Sequence, residues 1–211
     1  MDVAANQLEH SKRSPMANGE ARDATVTPAA IADPSALGLA SFAGPALLLS
    51  FVNAGVLDPS ALVAAIVPIG MFYGGLIQIL AGMLEFRRGN TFGTVAFGTY
   101  GAFWLSFAAY TRWFSTNASA AATAYFILMF VLITACLAVA AVRVNLAVCL
   151  AFTVQTLSFA VLAIASFRSS QQIQHIGGWV ELVAAIIAMY AAAAILINAT
   201  WKRTVLPLSP R

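Results

Sequence analysis

Six apolar stretches, at 36–57, 60–84, 92–111, 121–142, 144–167 and 176–199, dominate the sequence. Each is close to the length an α-helix needs to cross the hydrocarbon of a bilayer, about 20 residues. Charged side chains separate these runs, at Asp58, Glu85, Arg87, Arg88, Arg112, Arg143 and Arg168. Strands of a membrane barrel would show roughly ten-residue segments of alternating character, and these runs are continuous and about twice as long. Backbone groups in lipid must bond within their own segment, which a helix does and an open strand does not. With 61% hydrophobic and 9% charged residues, the chain lies far from a soluble domain, which carries about 25% charge. The expectation is an all-α integral membrane protein, a bundle of six transmembrane helices.

The charge that does exist is unevenly placed. Of the eight acidic residues, Asp2, Glu9, Glu20 and Asp23 sit in the first thirty positions, with Lys12, Arg13 and Arg22. Residues 1–32 therefore read as a disordered tail, followed by a six-helix domain over 33–200 and a short tail over 201–211. No apolar segment directly follows the early charges, so this beginning does not read as a signal peptide. An N-terminus inside puts Lys12, Arg13, Arg22, Arg87, Arg88, Arg143, Lys202, Arg203 and Arg211 on the cytoplasmic side, leaving Arg112 and Arg168 outside. That asymmetry predicts both termini cytoplasmic and a cell (plasma or inner) membrane location. The net charge of +3 is a topology signal, and nothing clusters it with exposed aromatics as a nucleic-acid face requires. Cys136 and Cys149 lie inside apolar runs with no CxxC or Cys/His cluster, so no metal, redox centre or cofactor is expected.

Chemistry, if any, must come from the few polar groups inside the runs, because burying such groups without partners is expensive. Tyr73 and Gln78 lie in the second run, Tyr100 and Ser106 in the third, and Gln155 in a polar patch with Thr153, Thr156 and Ser158 in the fifth. Glu181 lies about one turn into the sixth run, and an intramembrane carboxylate is a functional candidate by default. At the first run, Asp33-Pro34 reads as an N-cap followed by proline at N1. The free N–H groups of such a helix start suit an anion. An ionised Asp33 would partly cancel that field, so Asp33 and Glu181 are the two proton-coupling candidates. His175 is expected to cap the sixth helix. Gly70 and Gly74 form a GxxxG face that lets helices approach closely. There is no Ser-His-Asp set, HExxH or P-loop, so an enzyme is not expected.

These residues fall into a known pattern. The run from Asp33 to Leu39, which includes Leu37, resembles the NPxPLGL signature of the acetate uptake transporters, the family of succinate–acetate permeases. Tyr73, Gly74, Gly75 and Gln78, followed by Leu84-Glu85-Phe86-Arg87-Arg88-Gly89-Asn90-Thr91-Phe92-Gly93, are similar to its YGGxxQ…LEYKKGNTFG block. Thr99 to Trp104 resembles its SYGSFW, and Gly178, Trp179, Tyr190, Asn198 and Arg203 to Pro207 match near the end. The resemblance implies a six-helix protomer assembled as a homo-hexamer that moves acetate and succinate, by proton symport or as an anion channel. It also implies a narrow point at Phe42, Tyr100 and Gln155; the path is expected to begin near Asp33 and Leu37, with Tyr73, Gln78 and Ser106 as neutral donors along it.

Several positions depart from that pattern. Asp33 replaces the signature asparagine, Ala36 its second proline, and Gln155 a leucine; Glu181 stands at a small-residue position, and Ile195 replaces a glutamate. Two other readings stay open. One is a channel for a neutral solute such as ammonia or undissociated acid, which the lack of intramembrane cations suits. The other is a non-transporting membrane scaffold or sensor that acts through its tail.

Overall fold

The computed structural model describes residues 32–208, so the tail expected over 1–32 lies, but for its last residue, outside the described residues. Six long helices succeed one another: α1 (Ser35–Asn53), α2 (Leu62–Arg87), α3 (Thr91–Ala109), α4 (Ala120–Ala141), α5 (Leu146–Arg168) and α6 (Gln171–Trp201). No strand occurs among the described residues. By length and composition five of the six are candidate membrane spans. The exception is α3, whose hydropathy is lowered by Gly93, Gly98, Thr99, Tyr100, Gly101 and Ser106. Those are also the residues that let it sit inside the bundle.

Caps set the helix starts. Asn90, Ser119, Asn145 and Ser170 each accept a hydrogen bond from a backbone N–H of the following turn, that of Gly93, Ala122, Val148 and Ile173 respectively. Ser170 moves the start of α6 five residues ahead of the apolar run, to Gln171. Gln171, Gln172 and Gln174 resemble a loop in composition but form exposed first turns, and His175 lies within the helix instead of capping it. At the start of α1, Pro34 occupies the cap position, and Asp33 one residue earlier accepts from the Ser35 N–H at 2.9 Å. The expected capping interaction is therefore present, displaced by one residue.

In α2 the backbone is π-helical over Leu62–Ile66 and Gly70–Ile77. Pro68 has no N–H to donate to the preceding turn, which favours such a change of register. The widened turns face Trp104 of α3. A Cβ on Gly74 would lie 2.6 Å from its Cγ, and one on Gly70 3.2 Å from its Cε3. The GxxxG face is used within the chain, as the seat of a tryptophan.

Elsewhere small residues do the same work. The buried face of α6, including Ala184, Ala185, Ala188 and Ala191, packs on α1 and α5. The backbone at Gly178 touches that of Asn53 and Ala54. Since lipid tails are as apolar as leucine, helices in a bilayer are held by such close packing. After α6 the chain turns back: Asn198 Oδ1 accepts from the N–H groups of Val205 and Leu206 at 2.7 and 3.0 Å. Tyr190 Oη donates to the Pro207 carbonyl at 2.7 Å. The last described residues are thus tied to α6.

Gly82 and Gly98 give a test of this packing. A Cβ on Gly82 would lie 2.8 Å from the Gly98 backbone nitrogen, whereas one on Gly98 meets nothing within 4 Å. Gly82→Ala is expected to destabilise the detergent-solubilised protein by about 1–3 kcal/mol. Gly98→Ala should be neutral or stabilising by up to about 1 kcal/mol, since alanine is the better helix former. Thermal melts of both variants check this, and equal melting temperatures would contradict it.

Candidate functional site

The short connections place the start of α1, the α2–α3 and α4–α5 connections and the finish of α6 at one end of the bundle. The remaining connections lie at the other. At the first end a wholly buried Glu85 anchors the start of α1. Its Oε1 accepts from Ser35 Oγ at 2.6 Å and its Oε2 from Asn90 Nδ2 at 2.9 Å. Arg88 Nη1 lies 3.7 Å from Glu85 and 2.8 Å from Asp33 Oδ1. Partial burial pushes the Asp33 carboxyl up, but the Ser35 N–H, the Ser35 side chain and the Arg88 guanidinium outweigh it and hold it below the usual carboxylate range. Asp33 is a clamped anion at the rim, and it lines neither cavity described below.

Within the bundle, Phe42 of α1, Tyr100 of α3 and Gln155 of α5 come together around a small cavity of about 10 Å³. Leu39, Gln78, Phe97, Phe152 and Ala188 complete much of its wall. A single water needs about 10–15 Å³, so the axis is shut here. Phe42 meets Tyr100 edge-on with ring centroids 4.9 Å apart, and Phe152 lies 5.8 Å from Tyr100. The Tyr100 hydroxyl shares a 2.7 Å hydrogen bond with Thr134 Oγ1 of α4. Gln78 Nε2 donates to the Gly38 carbonyl at 3.3 Å, which turns Gln78 Oε1 the other way, buried and without a donor. Gln155 Oε1 is buried and without a donor too. The narrow point is uncharged, aromatic, and flanked by two amides with free acceptors.

One helical turn further, Phe103 and Phe159 close the aromatic cluster against Tyr100, at 6.1 and 6.4 Å. They also form the floor of a vestibule of about 990 Å³. Asn53, Asp58, Tyr110, Thr123, His175 and Glu181 contribute its polar wall, and no lysine or arginine lines it. Glu181 is only 2% exposed, and its Oε2 accepts from Asn53 Nδ2 at 2.8 Å. Gln174 Nε2 donates to Asn53 Oδ1 at 3.2 Å, fixing the Asn53 amide so that its donor faces Glu181.

The other residues singled out in the sequence lie apart from both cavities. Ser106 is exposed on the outer side of α3, and Leu37 is 38% exposed, with Leu39 lining the cavity in its place. Tyr73 is half-buried with its ring against Gly44. Sequence reasoning missed Phe97, Phe152, Thr134 and Asn53, whose types are ordinary for a membrane helix and give no signal until a partner stands opposite. Among the described residues no group of three or more His, Cys, Asp or Glu is arranged to hold a metal ion.

With this geometry established, comparison with known proteins gives a consistent result. The model of the GPR1/FUN34/yaaH family matches residues 18–210. The succinate-acetate/proton symporter SatP of Escherichia coli strain K12 is 34% identical over 182 residues, which cover 84% of this chain and 95% of that protein. The ammonia transport outward protein 2 of Saccharomyces cerevisiae is 34% identical over 175 residues, 77% of this chain and 61% of that one. A solved structure described as the bacterial acetate channel SatP superposes with a TM-score of 0.81 at 32% identity, covering 85% of this chain and all of that one.

The clamp at the start of α1 has a pH signature. Because the folded state lowers the Asp33 value, the stabilisation is present above the ordinary carboxylate range and is lost as pH falls through the folded value. Asp33 is partly exposed, so its contribution stays below about 1 kcal/mol. Asp33→Asn should melt slightly lower than the unaltered protein at neutral pH, with the gap closing in acid. A gap that is constant with pH would show that the charge plays no part.

Proposed function

The chain belongs to the GPR1/FUN34/yaaH family, and we propose that it is a membrane transporter or channel for acetate and related short-chain carboxylates, succinate among them. The observation that carries this reading is a vestibule of about 990 Å³ floored by Phe103 and Phe159, with an uncharged aromatic pinch directly beyond, where Phe42, Tyr100 and Gln155 close on a space of about 10 Å³. Small acids pass through the bundle when that pinch opens. All six helices span the bilayer of the cell membrane, with the termini and most of the basic residues on the cytoplasmic side. The vestibule then faces outward. Residues 1–32 and 201–211 are the flanking cytoplasmic tails. The large apolar side chains turned outward, such as Phe72, Phe86, Leu132 and Val139, face lipid or neighbouring copies in a homo-oligomer, by family resemblance a hexamer.

Opening requires modest energy. Separating the Phe42–Tyr100 pair costs about 1 kcal/mol and giving up the Tyr100–Thr134 hydrogen bond about another 1. A cost of about 2 kcal/mol leaves the open state at a few per cent. The pinch offers no cation, so a permeating acid meets neutral groups only: the Gln155 amide, the Gln78 Oε1 and the aromatic edges. This favours brief contact over tight binding.

A second reading, passage of a neutral solute such as undissociated acid or ammonia, draws on one observation, that no lysine or arginine lines either cavity.

Uptake of labelled acetate into proteoliposomes, with succinate as competitor, tests the proposal. Phe42→Ala is expected to raise downhill acetate flux by roughly tenfold, the factor that about 1.4 kcal/mol represents. Gln155→Leu should lower succinate flux more than acetate flux, because it removes the amide at the pinch. Flux that ignores membrane potential and follows the undissociated fraction would favour the neutral-solute reading. Unchanged flux in Phe42→Ala would place the path elsewhere.

A further inference from the structure

Glu181 is a carboxyl group buried in the bundle, on the wall of the outer vestibule, with one hydrogen-bond partner and no cation beside it. From the transport reading above, and resting on it, we propose that Glu181 forms a carboxyl-recognition site with Asn53, holding the substrate's carboxylate at the vestibule wall by sharing a proton with it.

The argument starts from what surrounds the group. Asn53 donates to Oε2 at 2.8 Å, and it is locked in that orientation because Gln174 occupies its Oδ1. Glu181 Oε1 is not taken up by any other side chain, and the residue borders the cavity. The titratable groups facing the same space are His175 on α6 itself, Asp58 on the connection after α1, and Tyr110 in the turn directly after α3, with Tyr100 below them. From α1 and α5, the helices packed on either side of α6, no titratable side chain reaches the cavity, and neither Arg112 nor Arg168 lines it. A carboxyl in such a place has no cation to offset its burial, and its acid form presents an O–H where no other side chain occupies Oε1. In that form it is a hydrogen-bond donor aimed into the vestibule.

A carboxyl donor is what an incoming carboxylate needs here. The acid form of Glu181 donates its O–H to a substrate carboxylate oxygen, a short charge-assisted bond. The step is balanced: the Glu181 O–H bond breaks, an O–H bond forms on the substrate, and the substrate leaves toward the pinch as a neutral acid. Glu181, left as the carboxylate held by Asn53, then regains a proton from vestibule water. The neutral acid matches the pinch, where Gln78 Oε1 is fixed as an acceptor without a donor. One group thus supplies both recognition of the anion and its proton.

The test is labelled acetate in proteoliposomes, read two ways: counterflow exchange at equal pH, and accumulation driven by an inward proton gradient. Glu181→Gln keeps the Asn53 contact and a donor but cannot release a proton. Its exchange should fall only in part, while its accumulation is lost down to the equilibrium ratio. Glu181→Asp, which retains the carboxyl, should regain accumulation. Accumulation in Glu181→Gln equal to the unaltered protein overturns the proposal, as does exchange without accumulation in the unaltered protein. If Glu181→Gln does not reach the bilayer, loss of accumulation in Glu181→Asp with exchange intact overturns it as well. Absence of exchange in the unaltered protein would instead remove the transport reading on which the proposal stands.

Discussion

Close approach of helix backbones is the constraint on which everything else in this bundle depends. Phe42 and Tyr100 meet at 4.9 Å because Gly38 lets α1 settle onto Phe97, one turn before Tyr100. Gly82 lets the backbones of α2 and α3 touch, and Gly178 does the same for α6 against the end of α1. The contact at Gly178 also brings Asn53 within reach of Glu181, three residues further along α6. Without a hydrophobic force between helices in lipid, dispersion at such contacts is the main source of cohesion. Cohesion and site geometry therefore share the same residues.

The second theme is the economy of charge. At the end where α1 begins, Asp33, Glu85 and Arg88 form a compact cluster in which each charge has an opposite or a donor nearby. This explains why Glu85 tolerates complete burial: Ser35, Asn90 and Arg88 supply what water would have supplied. Deeper in the bundle no such compensation is given to Glu181. Two carboxyl groups of the same chain, equally hidden from solvent, thus play opposite parts. One is held by a hydroxyl, an amide and a guanidinium, the other by a single amide on the wall of a cavity.

Much of the candidate site was legible in advance, and the reasons for the misses are geometric. Gln78, Gln155 and Glu181 stood out because polar groups in apolar runs need a reason to be there. All three are buried against a cavity wall. Ser106 fits a path by type and Leu37 by motif, but helical rotation turns both outward, and Leu39, two residues on from Leu37, takes the inner place. A hydroxyl on a helix can bond its own backbone, so a serine does not announce which face it occupies. Phe152 and Thr134 were invisible for the converse reason: each is unremarkable alone and matters only because Tyr100 stands opposite.

The sequence by itself determined the all-helical class, the succession of apolar segments and the motifs by which the family is known. Run length, charge spacing and local caps are properties of neighbouring residues, readable without a partner. It also marked Asp33 as a carboxylate at the start of the first helix. Only the tertiary structure decided that Arg88 clamps that carboxylate while Glu181 meets just the amide of Asn53, 128 residues away in the chain. Only it decided that Phe42 and Tyr100 meet around a space of about 10 Å³ beyond the floor of a far larger vestibule. The reason is physical: a side chain's charge state and its place in a path are set by what packs against it, and in a helical bundle those neighbours come from other helices.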